Sequence, residues 1–527
     1  MHASTTTNST NDARENGSLL PLEEIAAEAR PKSAWRSRWA ITFYCWLVSS
    51  CIVLLLAGYT MISEDASAKT LLLPGKTTHG HYQIEMSCSA CHTPTLGVRQ
   101  DACLDCHAAE LKLANDTHPA KKFNDPTNAD RLAILNAKKC ITCHREHVPQ
   151  QTQAMGLSLP ADYCFHCHQD VQEQRPSHKD LTFDSCATAG CHNYHDNTAL
   201  YENFLAQHWG ETDTFDSPLI PFQRDTELSA AKMLSAINND GPDSTAVETV
   251  TVRDWAASAH AQAGVNCSAC HVSNDSNTWS IAATDSQKSC GKCHAAEVVG
   301  FQSGRHGMRL SRNLPPLTPA EARLPMKKTA AHRKLNCLSC HSDHSFDTKT
   351  AAVDACVGCH NDSHTLAYKQ SSHYALWQAE LRGDAPVGSG VSCATCHLPR
   401  DENEEGDYFV EHNQNMNLRP NEKMVRNVCN HCHGVAFSLD ALADPELIKR
   451  CFQGRPNKHI ESVDMAKKWF EAKSKKNQSR QNDRAVPKQP APKQPAPKQP
   501  APKQPAPKQP APKQPAPKQP APKQPSL

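Results

Sequence analysis

Apolar and aromatic residues are scarce in this chain of 527 residues: the apolar types make up 38%, the aromatics 6%, and mean hydropathy is −0.61. So lean a composition excludes a conventional side-chain core running the whole length. A charge imbalance is also missing, since 56 Lys and Arg stand against 55 Asp and Glu for a net charge of +1. No basic field for nucleic acid follows. Basic residues collect in the C-terminal tail, and Glu211 to Asp254 is mostly acidic. Long apolar runs are absent but for one. What the chain does have is 25 cysteines and 29 histidines, which must serve disulfides, metal ions or a prosthetic group.

The one apolar run, Trp39 to Ile62, is 24 residues without a charge. It is long enough to cross a hydrocarbon core of about 30 Å at about 1.5 Å per residue. Arg30, Lys32, Arg36 and Arg38 precede it and Glu64 and Asp65 follow, so residues 1–38 are expected in the cytoplasm and the remainder in the periplasm of a bacterial inner-membrane protein with a single span. The alternative is secretion after cleavage near Ala68, because Ala66-Ser67-Ala68 has the small-x-small form that signal peptidase reads. Cys45 and Cys51, inside the run, read as small apolar residues.

Cysteine spacing settles what the thiols are for. C-x-x-C-H occurs ten times, with cysteines Cys88 and Cys91, Cys103 and Cys106, Cys140 and Cys143, Cys164 and Cys167, Cys267 and Cys270, Cys290 and Cys293, Cys337 and Cys340, Cys356 and Cys359, Cys393 and Cys396, and Cys429 and Cys432. An eleventh, fifth in chain order, is stretched: Cys186 and Cys191 enclose four residues and His192 follows. The motifs are numbered one to eleven along the chain. Two thiols at fixed spacing add across the two vinyl groups of a haem, and the next histidine supplies an axial ligand to its iron. Those proximal histidines are His92, His107, His144, His168, His192, His271, His294, His341, His360, His397 and His433. A disulfide framework gives no reason for a histidine after every second cysteine, and zinc sites do not require it. Eleven covalent haem c groups are expected.

Beyond the span, 17 histidines lie outside the proximal positions. His166 and His431 are confined inside their own motifs. The other fifteen are the candidate distal ligands: His79, His81, His118, His147, His178, His195, His208, His260, His306, His332, His344, His364, His373, His412 and His459. A haem with two histidine ligands has no open position, whereas a missing distal histidine leaves room for substrate. Spacing alone does not say which distal histidine meets which motif.

Along the chain the expectation is mainly α structure with long loops, its haem groups packed in two modules behind one transmembrane helix. The modules are a pentahaem one over 69–209 and a hexahaem one over 255–475, joined by a linker over 210–254. Helices are expected over Thr198–Trp209, Leu366–Leu381 and Ile460–Lys473, the last with Met465, Trp469 and Phe470 on one side. Residues 476–527 form a disordered tail rich in Pro, Lys, Gln and Ala, and from Pro487 to Pro525 it repeats P-K-Q-P-A. Proline at that density forbids helix and central strand and favours polyproline II, reaching on the order of 100 Å at about 3.1 Å per residue. Its lysine ladder reads either as a tether to anionic material or as a solubilising tail.

With its close-set motifs and flanking histidines, as in Cys140-Ile-Thr-Cys-His-Arg-Glu-His147, the first module resembles the class III small multihaem cytochromes, which implies electron carriage. From Trp255 to about Trp469 the chain resembles the superfamily of octahaem hydroxylamine oxidoreductase, octahaem tetrathionate reductase and pentahaem nitrite reductase. The residues that carry this likeness are Ser258-Ala-His260 before Gly264-Val-Asn-Cys-Ser-Ala-Cys-His271, then Gly304-Arg-His-Gly307, then Gly390-Val-Ser-Cys-Ala-Thr-Cys-His-Leu-Pro399. Departures count against that superfamily's chemistry. Every motif here ends in histidine, where the nitrite reductases carry a lysine, and none of Tyr368, Tyr374 and Tyr408 aligns with the cross-linking tyrosine of hydroxylamine oxidoreductase. Tetrathionate reductase takes a lysine ligand from elsewhere in its chain, for which Lys327 and Lys328 are available. Cys451, the unpaired periplasmic cysteine, reads as a buried and inert thiol.

Two functions are therefore carried forward. The first is a membrane-anchored undecahaem cytochrome passing electrons between a membrane or periplasmic donor, membrane quinol included, and a redox partner protein. The alternative is a reductase or oxidoreductase of a small nitrogen or sulfur compound at one open haem in the second module. Catalytic residues and oligomeric state stay open.

Overall fold

The computed structural model describes residues 32–62, 70, 73–93, 97–116, 118–175, 178–179, 181–188, 192–196, 202–219, 232–242, 249–272, 278–280, 286–402 and 408–485. Cys191, Ala66-Ser67-Ala68, the cytoplasmic residues before 32 and the proline-rich repeat lie outside the described residues.

Helices dominate and strands are few: two short antiparallel hairpins pair His92–Thr93 with Gly97–Val98 and Arg400–Glu402 with Tyr408–Val410. A 31-residue helix, Lys32–Ile62, contains a stretch from Arg38 to Tyr59 that is long and apolar enough to cross a membrane and is not buried against the rest of the chain. The chain to Phe470 makes one compact unit. Residues 471–485, the described part of the second unit, are helical.

Most other helices are one to three turns long, and many are the motifs themselves. Cys140–Cys143, Cys267–His271 and Cys393–His397 are single α-turns, and Cys88–Ala90, Cys337–Ser339 and Cys429–His431 are tighter 3₁₀ turns. A helical turn brings residues i and i+3 to the same face, so C-x-x-C presents both sulfurs on one side. Caps start several of these turns: Asn266 accepts from the Cys267 N–H, Asn336 from Ser339 and Ser392 from Thr395.

The apolar side chains that are buried form three clusters. The largest gathers Leu205, Met424, Val425, Val435, Leu439, Leu442, Val463 and Ala466. Val353, Tyr368, Trp377 and Cys451 make the second, and Val252, Trp255 and Ala261 the third. All three lie from Leu205 onward.

Several expected elements differ in detail. Leu366–Leu381 is not one helix but two, Ser363–Tyr368 and Ser372–Arg382, because Ser371 turns out as an N-cap and accepts from the Tyr374 N–H. Of Thr198–Trp209, Glu202–His208 is helical and 198–201 lie outside the described residues. The final helix runs from Glu461 to Ala485, beyond the expected Lys473. Described parts of 210–254 are packed and not free: Phe215 and Leu219 donate to the carbonyls of Cys432 and His431, and Leu234 donates to Ala261.

Candidate haem centres

Every proximal histidine stands opposite one candidate distal histidine. In the first five motifs the ring centroids of His92 and His147 are 6.3 Å apart, His107 and His81 6.0 Å, His144 and His195 6.3 Å, His168 and His118 6.0 Å, and His192 and His178 6.2 Å. In motifs six to eleven the distances are 6.0 Å for His271 and His344, 6.0 Å for His294 and His260, 6.4 Å for His341 and His412, 6.3 Å for His360 and His306, 6.1 Å for His397 and His364, and 6.2 Å for His433 and His373. Metal–nitrogen bonds of about 2 Å on opposite sides of one ion put imidazole centres about 6 Å apart, so the spacing fits a six-coordinate iron between each pair.

Four candidates have other surroundings. His79 stacks beside Tyr82 among Arg305, Arg323 and Arg419. His208 puts Nδ1 2.5 Å from Glu211 Oε1 and its ring against Phe204. His332 is exposed. His459 is held by Asp440 and Asp464, each 3.1 Å away.

Outer contacts orient the paired rings. Nδ1 donates to a backbone carbonyl in His118 (Tyr194, 2.7 Å), His144 (Gly156, 3.2 Å), His147 (Gly75, 2.8 Å), His271 (Ser280, 2.9 Å), His364 (Ile448, 2.6 Å), His412 (Val410, 2.7 Å) and His433 (Asp213, 2.9 Å). Carboxylates do the same for His81, 2.7 Å from Glu146, and for His107, 3.4 Å from Glu110. A proton fixed on Nδ1 leaves the Nε2 lone pair for iron. Burial would raise the Glu146 carboxyl, but bonds from His81 and from the Thr78 N–H and hydroxyl hold it at about 2. Burial and neighbouring imidazoles push His306, His373 and His397 down to about 4, so these rings are neutral, as metal ligation requires.

The motifs are strung in chain order. Cys103 faces Cys140, Cys164 faces Cys186, Cys290 faces Cys337 and Cys356 faces Cys393. Cys91 lies near Cys103, Cys270 near Cys293, Cys340 near Cys356 and Cys396 near Cys429, and Tyr163 lies beside both Cys143 and Cys164. Among the described residues these contacts link motifs one to five in one string and motifs six to eleven in another. A cavity of about 3370 Å³ is lined by cysteines and histidines of motifs one to five, several times the volume of an ordinary ligand pocket. Mostly apolar and walled by paired imidazoles, it fits several flat prosthetic groups.

Three residues gain a role that spacing did not reveal: Glu146, Arg305 and Arg312. A signal for the distal partners was present, however. In Cys-His144-Arg-Glu-His147, Cys-His192-Asn-Tyr-His195 and Cys-His341-Ser-Asp-His344 the second histidine faces the proximal histidine two motifs earlier. Cys451 is 5% exposed, its Sγ 3.8 Å from His364 Nε2, and burial pushes the thiol up to about 11. Tyr368 is buried and donates to the Val391 carbonyl. Among the described residues no other cluster of His, Cys, Asp or Glu is arranged to hold a metal ion.

Residues 80–169, which take in motifs one to four, match the family model described as cytochrome c3. No solved structure matches the chain. Paired cysteines of this kind hold covalent haem c, and the chain is a multihaem electron-transfer cytochrome of mainly helical fold.

Proposed function

We propose that the chain is a membrane-anchored conduit of eleven haem c groups, carrying electrons between a donor at the membrane and a redox partner protein on the periplasmic side. The observation that carries this reading is the pairing of all eleven motif histidines with a second imidazole at 6.0–6.4 Å. A haem held between each pair would take both its ligands from the chain, which argues against the open site that a reductase of small nitrogen or sulfur compounds needs. Lys327, available as a ligand by sequence, sits beside motif nine, whose histidine faces His306.

Haem iron supplies, when bound, reversible one-electron exchange. The protein's residues do the rest. Paired cysteines fix each group at a set place on the string, and the two imidazoles hold the same ligand set in both oxidation states, which keeps reorganisation small. Carbonyls and carboxylates on Nδ1 keep each ring from turning. The apolar helix between Arg38 and Tyr59 is the anchor, oriented by the basic residues before it. Held at the bilayer, the chain is placed to accept electrons from a membrane quinol.

The test is the haem-to-protein ratio of the purified protein alongside EPR of its oxidised form. Eleven groups and low-spin signals alone are expected. The signals should be spread widely, because imidazole planes range from 5° apart in the His271 pair to 87° in the His168 pair. A resolved high-spin ferric centre in the intact protein would overturn the reading and direct substrate trials to that motif.

A further inference from the structure

Chain order suggests that the two strings meet end to end, motif five handing on to motif six. The contacts say otherwise. Motif six packs on the segment just before it, with Ser268 bonded to Asp240 and Asn266 to Asn238. Among the described residues the second string meets the first at motif two through several bonds, and Arg426 also lies near Asp196, just after motif five. Arg305 Nη1 donates to the carbonyls of His79 and Gly80, at 2.8 and 3.3 Å, directly before the motif-two ligand His81. Its own carbonyl accepts from Gln83 at 2.8 Å. The next residue after Arg305 is His306, the ligand facing motif nine. The Arg305 N–H donates at 2.9 Å to Gln414 Oε1, and the Gln414 Nε2 donates at 2.6 Å to the carbonyl of His412, the ligand facing motif eight. Arg305 thus bonds the residue before His81 in the first string, is the chain neighbour of His306, and reaches the His412 carbonyl through Gln414.

Two further bridges land on the same motif. Arg312 reaches Cys106 Sγ at 2.7 Å, and Lys423 pairs at 3.2 Å with Glu110, the carboxylate that also meets His107 Nδ1. Beside Arg305 lie Arg323 and Arg419, and among the described residues none of these three guanidiniums is paired with a carboxylate. Arg305 is half-buried and the other two are exposed; three cations gathered this way suit an anion, and the propionates of a bound haem would supply carboxylates.

We infer that the two strings of histidine pairs are joined side to side, with Arg305 as the positioning residue that holds motif two against motifs eight and nine. The inference rests on the conduit reading. An electron crossing at this joint leaves one iron oxidised and another reduced, and no bond breaks and no proton moves.

The experiment uses the full holoprotein in detergent, with Cys45 and Cys51 replaced by serine. A ruthenium polypyridyl photosensitiser is tethered to Ile134→Cys, an exposed site in the first string, and His344→Met gives motif six a distinct absorption band. After a flash, arrival of the electron at motif six is timed in three further backgrounds. Cys186→Ala combined with Cys191→Ala, which removes both cysteines of motif five, is expected to leave arrival unchanged. Arg305→Gln is expected to slow it, and Arg305→Lys, which keeps the charge and loses the fork, to slow it less. Loss of arrival in the double cysteine variant, with Arg305→Gln behaving as the parent, would overturn the side-to-side joint. The conduit reading fails on a different result, a high-spin centre or a short haem count in the parent protein.

Discussion

The two strings use one ligand device on different foundations. In both, a C-H-x-x-H segment sends its second histidine back two motifs, and His147 and His344 take the same left-handed backbone, φ 63° and 64°. Around that shared device the packing diverges. Motifs one to five line a single cavity, and the buried apolar side chains among them are few: Ile84, Ala102, Ala114 and Tyr163. Motifs six to eleven are set among three clusters of packed Leu, Val, Met, Trp and Tyr. With haem in that cavity the first string would draw its core from the prosthetic groups, whereas the second owns part of one in its side chains. A lean composition is thus spent unevenly along the chain.

The largest expected effect breaks the comparison outright. If the chain is made in cells lacking the haem-attachment machinery, residues 73–196 should lose protection from proteolysis and hydrogen exchange throughout, while the cluster around Leu439 stays protected. Equal protection in both halves would show that the first string carries a core of its own. A smaller effect sharpens the contrast. Leu439→Ala, at 4% exposure, should cost about 2–5 kcal/mol in denaturant unfolding, and Leu104→Ala, exposed in motif two, should stay within about 0.5 kcal/mol. The smallest concerns the end of the second string. Bonds to Asp440 and Asp464 raise the His459 pKa above 6.5, so this link between Val435–Leu442 and the final helix is complete below pH 6.5 and is lost as pH rises through the raised value. Protection factors at Val463 and Ala466, taken relative to intrinsic base-catalysed exchange, should fall modestly across that window and stay level in His459→Gln.

What spacing revealed, and what it did not, follows from how local each feature is. Both cysteines and the proximal histidine must share one helical turn, so their positions stand out in five consecutive residues. A distal histidine is bound only by reach, and His412 serves a motif before it while His118 serves one after it. Such pairing is a property of the folded chain. Only the C-H-x-x-H cases obey a local rule. The break at Ser371 follows a similar logic: K-Q-S-S interrupts a pattern whose apolar period continues on both sides, and a capping bond decides it. Residues 211–219 looked like linker because they are polar, yet their backbone N–H groups had carbonyls of motif eleven to meet. Arg305 stood in a segment marked only for its likeness to other haem proteins, and its bridging role comes from two carbonyls and three side-chain amides brought together by tertiary packing.

The backward reach of the C-H-x-x-H segments also sets a timetable. Synthesis runs from the N-terminus, so His92 emerges long before His147, and His271 long before His344. A haem attached during that interval would have one imidazole and a bare face, open to oxygen or to any stray ligand. His107 meets no such delay, because His81 precedes it. Attachment that kept pace with synthesis would therefore leave some sites reactive and others already quiet, and the sites that wait would be those whose partner has yet to be made.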